Sequence, residues 1–236
     1  VIFFDQYKSQ YPYADHGKLL GFDHGMMEPW TVLSYVAANT NRVRLGSSIC
    51  LVPQRNPVYT AKQITDVDFL SGGRVDFGVG AGWLKEEFDA LQVPFERRGA
   101  RTSDYIRVMQ ALWTMERPSY HGEFYNLPEC TQNPKPVQTP HPPIFFGGES
   151  KPALRRVATQ GQGWMGASMM PKDLPEKLAL LDNLLAEHDR KRSDIKVYTL
   201  PNIAPKADLF PQYEDLGVEQ VIHLVPMKNI DDVRQR

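Results

Sequence analysis

Seven short apolar runs recur along the chain, at residues 1–4, 43–52, 74–79, 144–148, 163–166, 195–200 and 221–225. Stretches of helical periodicity separate nearly all of them. Strands that alternate with helices pair in parallel through right-handed crossovers, so the pattern predicts an α/β fold. Glycine-rich ends recur on non-adjacent runs. That favours a (β/α)8 TIM barrel, where strand ends meet at one mouth, over an open doubly wound sheet. Seven strands are one short of eight, and the chain opens on Val1-Ile2-Phe3-Phe4, which reads as a buried strand already under way. The expectation is a single barrel domain over residues 1–236, lacking its first β/α unit.

The sharpest punctuation is Arg74-Val75-Asp76-Phe77-Gly78-Val79-Gly80-Ala81-Gly82-Trp83. It follows a Ser71-Gly72-Gly73 stop, breaks into alternating glycines and meets a helical Lys85-Glu86-Glu87-Phe88. A buried strand that opens into glycines leaves space at its C-terminal end for something flat or anionic, and ligands of α/β proteins bind there.

Around this strand the helices have readable starts and faces. Glu28-Pro29-Trp30 begins one, with Trp30, Leu33, Val36 and Ala37 on its apolar side. Asn56-Pro57 begins the next, which carries Ala61, Ile64 and Val67 inward and stops at Gly72-Gly73. Tyr105, Val108 and Leu112 mark a third, and residues 152–160, 174–191 and 210–216 read as helices as well. Residues 117–143 interrupt the alternation. They read as a hairpin turning at Gly122, then a stretch in which Pro134, Pro136, Pro140, Pro142 and Pro143 forbid a helix. Residues 7–27 are too long for a simple connector and are expected to be either a functional loop or a segment partly missing here.

A net charge of −1 gives no electrostatic case for nucleic acid or an anionic membrane surface. Two cysteines, Cys50 and Cys130, match no metal or redox spacing, so a reducing cytoplasm is the expected compartment. No apolar run approaches the ~18 residues of a membrane span. A small molecule is the expected partner.

Taken in order, several segments are similar to those of one family. They are Arg42-Val43-Arg44-Leu45-Gly46-Ser47-Ser48, Arg55-Asn56-Pro57, Ala61-Lys62-Gln63, Ser71-Gly72-Gly73-Arg74, Gly78-Val79-Gly80-Ala81-Gly82-Trp83, Glu87-Phe88, Arg97 to Thr102, and Pro142-Pro143-Ile144 leading to Gly147-Gly148. The series resembles the bacterial luciferase-like monooxygenase superfamily, and within it the oxidoreductases assigned to the deazaflavin coenzyme F420. The resemblance implies a barrel whose mouth holds coenzyme F420 or, alternatively, FMN, in a cytoplasmic homodimer.

It also implies a site. The cofactor phosphate would lie at Gly147, Gly148, Glu149 and Ser150, flanked by Gly163 and Trp164. The plainer alternatives are an ordinary turn with a serine cap and a tryptophan that fills the barrel. A non-proline cis peptide would join Ser48 and Ile49 against the central ring, where a regular strand is the alternative. Gly80, Ala81 and Gly82 would let the ring or its polyol chain lie on backbone, or would only pack tightly at the rim. Asp5 and Gln6 stand where many relatives carry a histidine near the reacting ring atom. Trp83 stands where the sugar-phosphate dehydrogenases of the superfamily carry a glutamate. These departures argue against that activity and leave Asp5, Gln6 and Trp83 as catalytic candidates, with Trp83 as a wall for an apolar substrate. No histidine has metal-ligand spacing, so no metal is expected. An FMN-dependent monooxygenase, a non-catalytic flavin-binding barrel and a sugar-phosphate enzyme are the competing readings.

Overall fold

A computed structural model describes residues 6–19, 26–201 and 206–223. The strand expected at residues 1–4, the candidate Asp5 and the end of the last strand, 224–225, lie outside the described residues. Six parallel strand positions follow one another in chain order. They are β1 (Leu45–Gly46) continued by β2 (Cys50–Leu51), then β3 (Val75–Gly80), β6 (Ile144–Gly147), β7 (Gly163–Ala167), β8 (Lys196–Leu200) and β9 (Gln220–Val221). The small hairpin β4 (Tyr120–His121) and β5 (Asn126–Leu127) stands apart, as the sequence predicts. A doubly wound sheet reverses its strand order at a switch point. Here each strand sits beside its predecessor, which is the order of a barrel wall curling in one direction.

The helices are α1 (Pro29–Asn39), α2 (Pro57–Ser71), α3 (Lys85–Ala90), α4 (Arg98–Thr114), α5 (Lys151–Gln160), α6 (Leu174–Ala186) and α7 (Phe210–Asp215). Their starts follow the expected chemistry. Asn56 accepts from the Val58 and Tyr59 amides, Pro57 takes the first turn, and Gly72 closes α2 at φ 68°. Helix α6 ends at Ala186, short of the expected residue 191, because the chain turns at Asp189 with φ 55°.

The expected strand 43–52 is interrupted. Gly46 pairs with Asp76 and Cys50 with Val79, so four steps on this strand oppose three on β3. One extra residue makes a bulge at residues 47–49, a device that re-aims a side chain. Along β3 the residues alternate. Val75, Phe77 and Val79 join the large core beneath the helices, where Phe77 packs between Trp30 and Trp113 at ring distances of 5.8 and 6.0 Å. Gly78 and Gly80 face the opposite way, toward the concave side. On that side Phe145, Met165 and Tyr198 form a second cluster, with Phe145 and Tyr198 stacked at 4.4 Å.

The motif Ser71-Gly72-Gly73-Arg74 has a structural role. The Arg74 guanidinium donates to the carbonyls of Ala37, Thr40, Val43 and Ser71 at 2.7–3.0 Å, so one cation serves the C-terminal ends of α1 and α2. Residues 117–143 are held from outside the barrel wall. Asp104 accepts from the Tyr120 hydroxyl and the Phe124 amide, and Asp68 from the amides of Val137 and Gln138. No described helix is long and apolar enough to cross a membrane.

Candidate functional site

Because the strands are parallel, their C-terminal ends open on one face. There the bulge delivers Ile49 onto the backbone of its neighbours. The Ser48–Ile49 peptide is cis, at the position the resemblance indicates. The Ser47 hydroxyl donates to the Gly78 carbonyl at 2.9 Å and holds the bulge against β3. A Cβ on Gly147 would stand 2.9 Å from Ile49 Cδ1, one on Gly78 3.3 Å from its Cγ2, and one on Gly80 would overlap Cδ1 outright. Gly80 and Gly147 thus clear a berth for one isoleucine, while Gly78 first makes room for the Ser47 carbonyl, which a Cβ there would overlap. Ile49 keeps 36% of its surface exposed. The bare backbone expected at Gly80 is therefore covered, and the apolar floor of the mouth is Ile49 itself.

Gly82 lies past the strand end at φ 82°, with Phe88 2.8 Å from where a Cβ would be. Its carbonyl accepts from Arg98 Nε at 2.8 Å. At the end of β6, Gly148 takes φ 102°, and Ser150 caps α5 by accepting from the Ala153 amide at 3.4 Å. The serine cap is thus formed at Gly147–Ser150. Trp164 is fully buried in the core between sheet and helices, not in the barrel interior, and its indole N–H donates to the Gly148 carbonyl at 3.0 Å. It supports the turn from behind. Gly163 pairs with Phe145, two residues below Gly147, where the Phe145 ring fills the space a Cβ would need. The structure brings Ile49, Gly80 and Gly147 together and keeps Gly163 away from them.

Glu149 turns aside. Its carboxyl accepts from the Ala167 amide at 2.6 Å and from the Tyr13 hydroxyl. Burial pushes its pKa above the ordinary carboxyl range, against the opposing pull of those two donors. Burial and the Glu149 charge together push the Tyr13 and Tyr11 phenols up as well.

Tyr11 and Tyr13 belong to the early loop, which lies across the mouth. Tyr7 and Tyr11 meet Trp83 edge-on at 5.6 and 5.1 Å, and Tyr13 meets Tyr11 at 5.5 Å. The loop is tied to α3 through Glu86, which accepts from the Lys8 amide and the Ser9 hydroxyl, both at 2.6 Å. Those donors, the Ser9 hydroxyl foremost, hold the Glu86 pKa at about 2. Gln6 is exposed. Sequence reasoning missed Tyr11 and Tyr13, and carried Arg98 only as part of the segment 97–102 without giving it a role. The only available signal for the tyrosines was aromatic density, three tyrosines within residues 7–13, just where a functional loop was expected.

The model of the luciferase-like monooxygenase family matches residues 12–208. An uncharacterized protein of Mycobacterium tuberculosis is 32% identical over 207 residues, covering 87% of this chain and 72% of that protein. The FMNH(2)-dependent dimethylsulfone monooxygenase of Pseudomonas putida is 36% identical over 140 residues, 58% of this chain and 38% of that enzyme. In fold, the chain is similar to the coenzyme F420 dependent tetrahydromethanopterin reductase of Methanopyrus kandleri. The TM-score is 0.65 at 22% identity, over 74% of this chain and 54% of the reductase. The chain thus spans about half the length of that solved structure.

Proposed function

This chain belongs to the luciferase-like monooxygenase family, and from that premise we propose that it is an oxidoreductase transferring hydride between coenzyme F420 and a small organic substrate. Ile49 carries this reading. Seated on Gly78, Gly80 and Gly147, it offers a rigid apolar platform, open on its outer side, at the strand ends where the resemblance locates the central ring. A flat tricyclic ring fits such a floor better than a sugar phosphate does, since a sugar needs hydroxyl partners that an isoleucine lacks. The likeness in fold to an F420-dependent reductase supports the deazaflavin. The sequence likeness to an FMNH(2)-dependent monooxygenase supports the second reading, FMN-dependent monooxygenation.

A bound reduced ring would supply the hydride, while the protein manages the matching proton. Of the three catalytic candidates, Asp5 lies outside the described residues, and Gln6 and Trp83 have no proton to exchange near neutral pH. Glu149 carries a titratable carboxyl whose pKa burial raises, and Tyr13 is its hydrogen-bond donor. The Tyr13 O–H donates to a carboxyl that burial keeps protonated above the ordinary range, so the pair holds a proton beside the mouth. Trp83 with Tyr7 and Tyr11 would exclude water from one side and select an apolar substrate. A homodimer is part of the proposal, with the exposed Tyr35 of α1 and Tyr59 and Leu70 of α2 as its contact.

Titrating the purified protein separately with FMN and with coenzyme F420, followed by ligand fluorescence, tests the choice. Saturable binding of the deazaflavin is expected. Tight FMN binding with none for the deazaflavin would reverse the preference, and steady turnover of neither reduced form with any acceptor would leave the non-catalytic reading.

A further inference from the structure

Two polar groups beside the mouth are uncommitted. The Tyr11 hydroxyl and the Trp83 indole N–H form no hydrogen bond with any described residue, although their rings meet at 5.1 Å. Both side chains are half-buried, and neither atom is among those sealed from solvent without a partner. The groups around them are spent. The Tyr7 hydroxyl accepts from the Leu19 amide, Tyr13 donates to Glu149, and the Ser9 hydroxyl donates to Glu86. Deeper in the fold, Trp113 and Trp164 use their indole N–H groups on the Ala61 and Gly148 carbonyls. A ligand that strips water from Tyr11 and Trp83 must bring an acceptor. Otherwise it leaves two donors unsatisfied, at a cost larger than one hydrogen bond gains.

The rings set a second requirement. Tyr7 and Tyr11 meet Trp83 at interplanar angles of 68° and 60°, and Tyr13 meets Tyr11 at 75°. Each pair is edge to face, the arrangement favoured by the positive edge and negative face of an aromatic ring. A further flat ring continues this herringbone wall with the same electrostatic match. A saturated ring of similar area buries as much surface without it.

Charge sets the third. Glu149 stands at one end of the wall through Tyr13, and its field adds to burial in raising the Tyr11 phenol pKa. Glu86 stands at the other end through Ser9. Lys18 is already committed to Tyr7, lying 4.0 Å over its ring and donating to its carbonyl at 2.7 Å. Acids at both ends disfavour an anionic ligand between them.

We propose that Tyr11 and Trp83 determine specificity in the substrate site, and that the substrate is a neutral aromatic compound carrying an acceptor oxygen such as a carbonyl. The wall of rings receives its aromatic body, and the Tyr11 hydroxyl and Trp83 N–H receive its oxygen. That the molecule so held is the substrate rests on the proposed function. The recognition itself rests on the contacts just described.

Four probes separate the three requirements: acetophenone, toluene, cyclohexyl methyl ketone and benzenesulfonate. Their dissociation constants are measured on the full chain by saturation-transfer NMR, first without cofactor and then with FMN or coenzyme F420. Acetophenone should bind most tightly. Toluene, which lacks the oxygen, should bind about fivefold more weakly. Cyclohexyl methyl ketone should lose about threefold, and benzenesulfonate should be the weakest of the four. In the unaltered chain, acetophenone should also shift the Trp83 indole N–H resonance.

Tyr11→Phe keeps the ring edge and Trp83→Phe keeps a ring face. Each should at least halve the ratio of acetophenone to toluene affinity, and Tyr11→Phe should leave toluene binding as it is. A purely structural role would weaken all four probes alike and leave that ratio unmoved. The inference is overturned by benzenesulfonate or the cyclohexyl ketone binding as tightly as acetophenone, or by a ratio unchanged in both variants. Absence of saturable probe binding, with and without cofactor, overturns it too. The expected selectivity in a chain that binds neither FMN nor coenzyme F420 would sink the proposed function and leave the aromatic site standing. Cofactor binding without that selectivity would sink this inference alone.

Discussion

Ile49 Cδ1 occupies the place that a Cβ on Gly80 would take. The two residues are a matched pair: glycine on β3 because an isoleucine from the neighbouring bulge lies there. Gly80→Ala should therefore act as overpacking, costing about 1–3 kcal/mol. Adding Ile49→Ala should recover part of that loss, because the second change removes the clash while itself opening space. A double-mutant cycle by denaturant unfolding measures the coupling. Strict additivity would mean that Ile49 does not rest on Gly80.

Gly148 has a different reason to be glycine. At φ 102° any side chain is strained, and a Cβ there would meet Ala153 at 3.2 Å. Gly148→Ala and Gly148→Asp share this backbone cost, about 1 kcal/mol or more. Only the aspartate adds a negative charge beside the turn. Loss of cofactor binding is expected for Gly148→Asp, with Gly148→Ala retaining much of it. Unchanged affinity of Gly148→Asp for both FMN and coenzyme F420 would remove Gly147–Ser150 from the binding site.

Trp164 supports that turn through its indole bond to the Gly148 carbonyl. Trp164→Phe keeps a large apolar side chain but leaves a carbonyl without its donor, at a cost of about 1–3 kcal/mol. The fall in Tm should come with weaker cofactor binding if the carbonyl then shifts the turn. A Tm loss with unchanged affinity would confine Trp164 to the core.

How much of this was legible in the sequence follows from how local each cause is. Asn56-Pro57 and Gly72-Gly73 act within a few residues, and the ends of α2 came out as read. The parallel strand order followed from the alternation of apolar runs with helices. The bulge did not, because Val43–Val52 reads as one continuous strand and no local signal reveals that one residue too many faces β3. Gly80 and Gly147 stand out in the sequence as positions of close approach, and what approaches them in the structure is Ile49, supplied from a strand 31 residues upstream of Gly80. Glu149 likewise depends on Tyr13 and Ala167, remote in sequence. Residue types were visible; partners across the mouth were not.

Glu149 makes stability depend on pH in a definite direction. Its pKa is raised by burial, so its contribution is fully present below the ordinary carboxyl value near 4.5 and is lost as pH rises through the higher folded value. Glu149→Gln keeps an oxygen for the Ala167 amide and removes the titration. The variant's Tm should be flatter with pH above about 4.5 and, near neutrality, no lower than that of the unaltered chain. If Glu149 also supplies the catalytic proton, turnover falls at every pH while the Tm does not. A Tm that drops uniformly in the variant would point to lost packing instead.

The early loop gives the opposite sign. Glu86 is held at about 2 by the Ser9 hydroxyl and the Lys8 amide, and a lowered carboxyl pKa stabilises above the unfolded value and loses that stability as pH falls through the folded one. Docking of residues 6–19 on α3 should therefore persist from neutrality through pH 4.5 and weaken only as pH falls toward 2. Glu86→Ala should release the loop at neutral pH. Glu86 is partly exposed and its partners lie in the loop, so global unfolding should change little. The local signals should change clearly: faster amide exchange at Lys8 and Ser9, and altered Trp83 fluorescence as Tyr7 and Tyr11 leave its faces. If the loop closes the mouth over substrate, KM should rise more than kcat falls, because the lost interaction holds the substrate in ground and transition states alike. Protected amides at Lys8 and Ser9 in Glu86→Ala would show that the tyrosine–tryptophan contacts alone dock the loop.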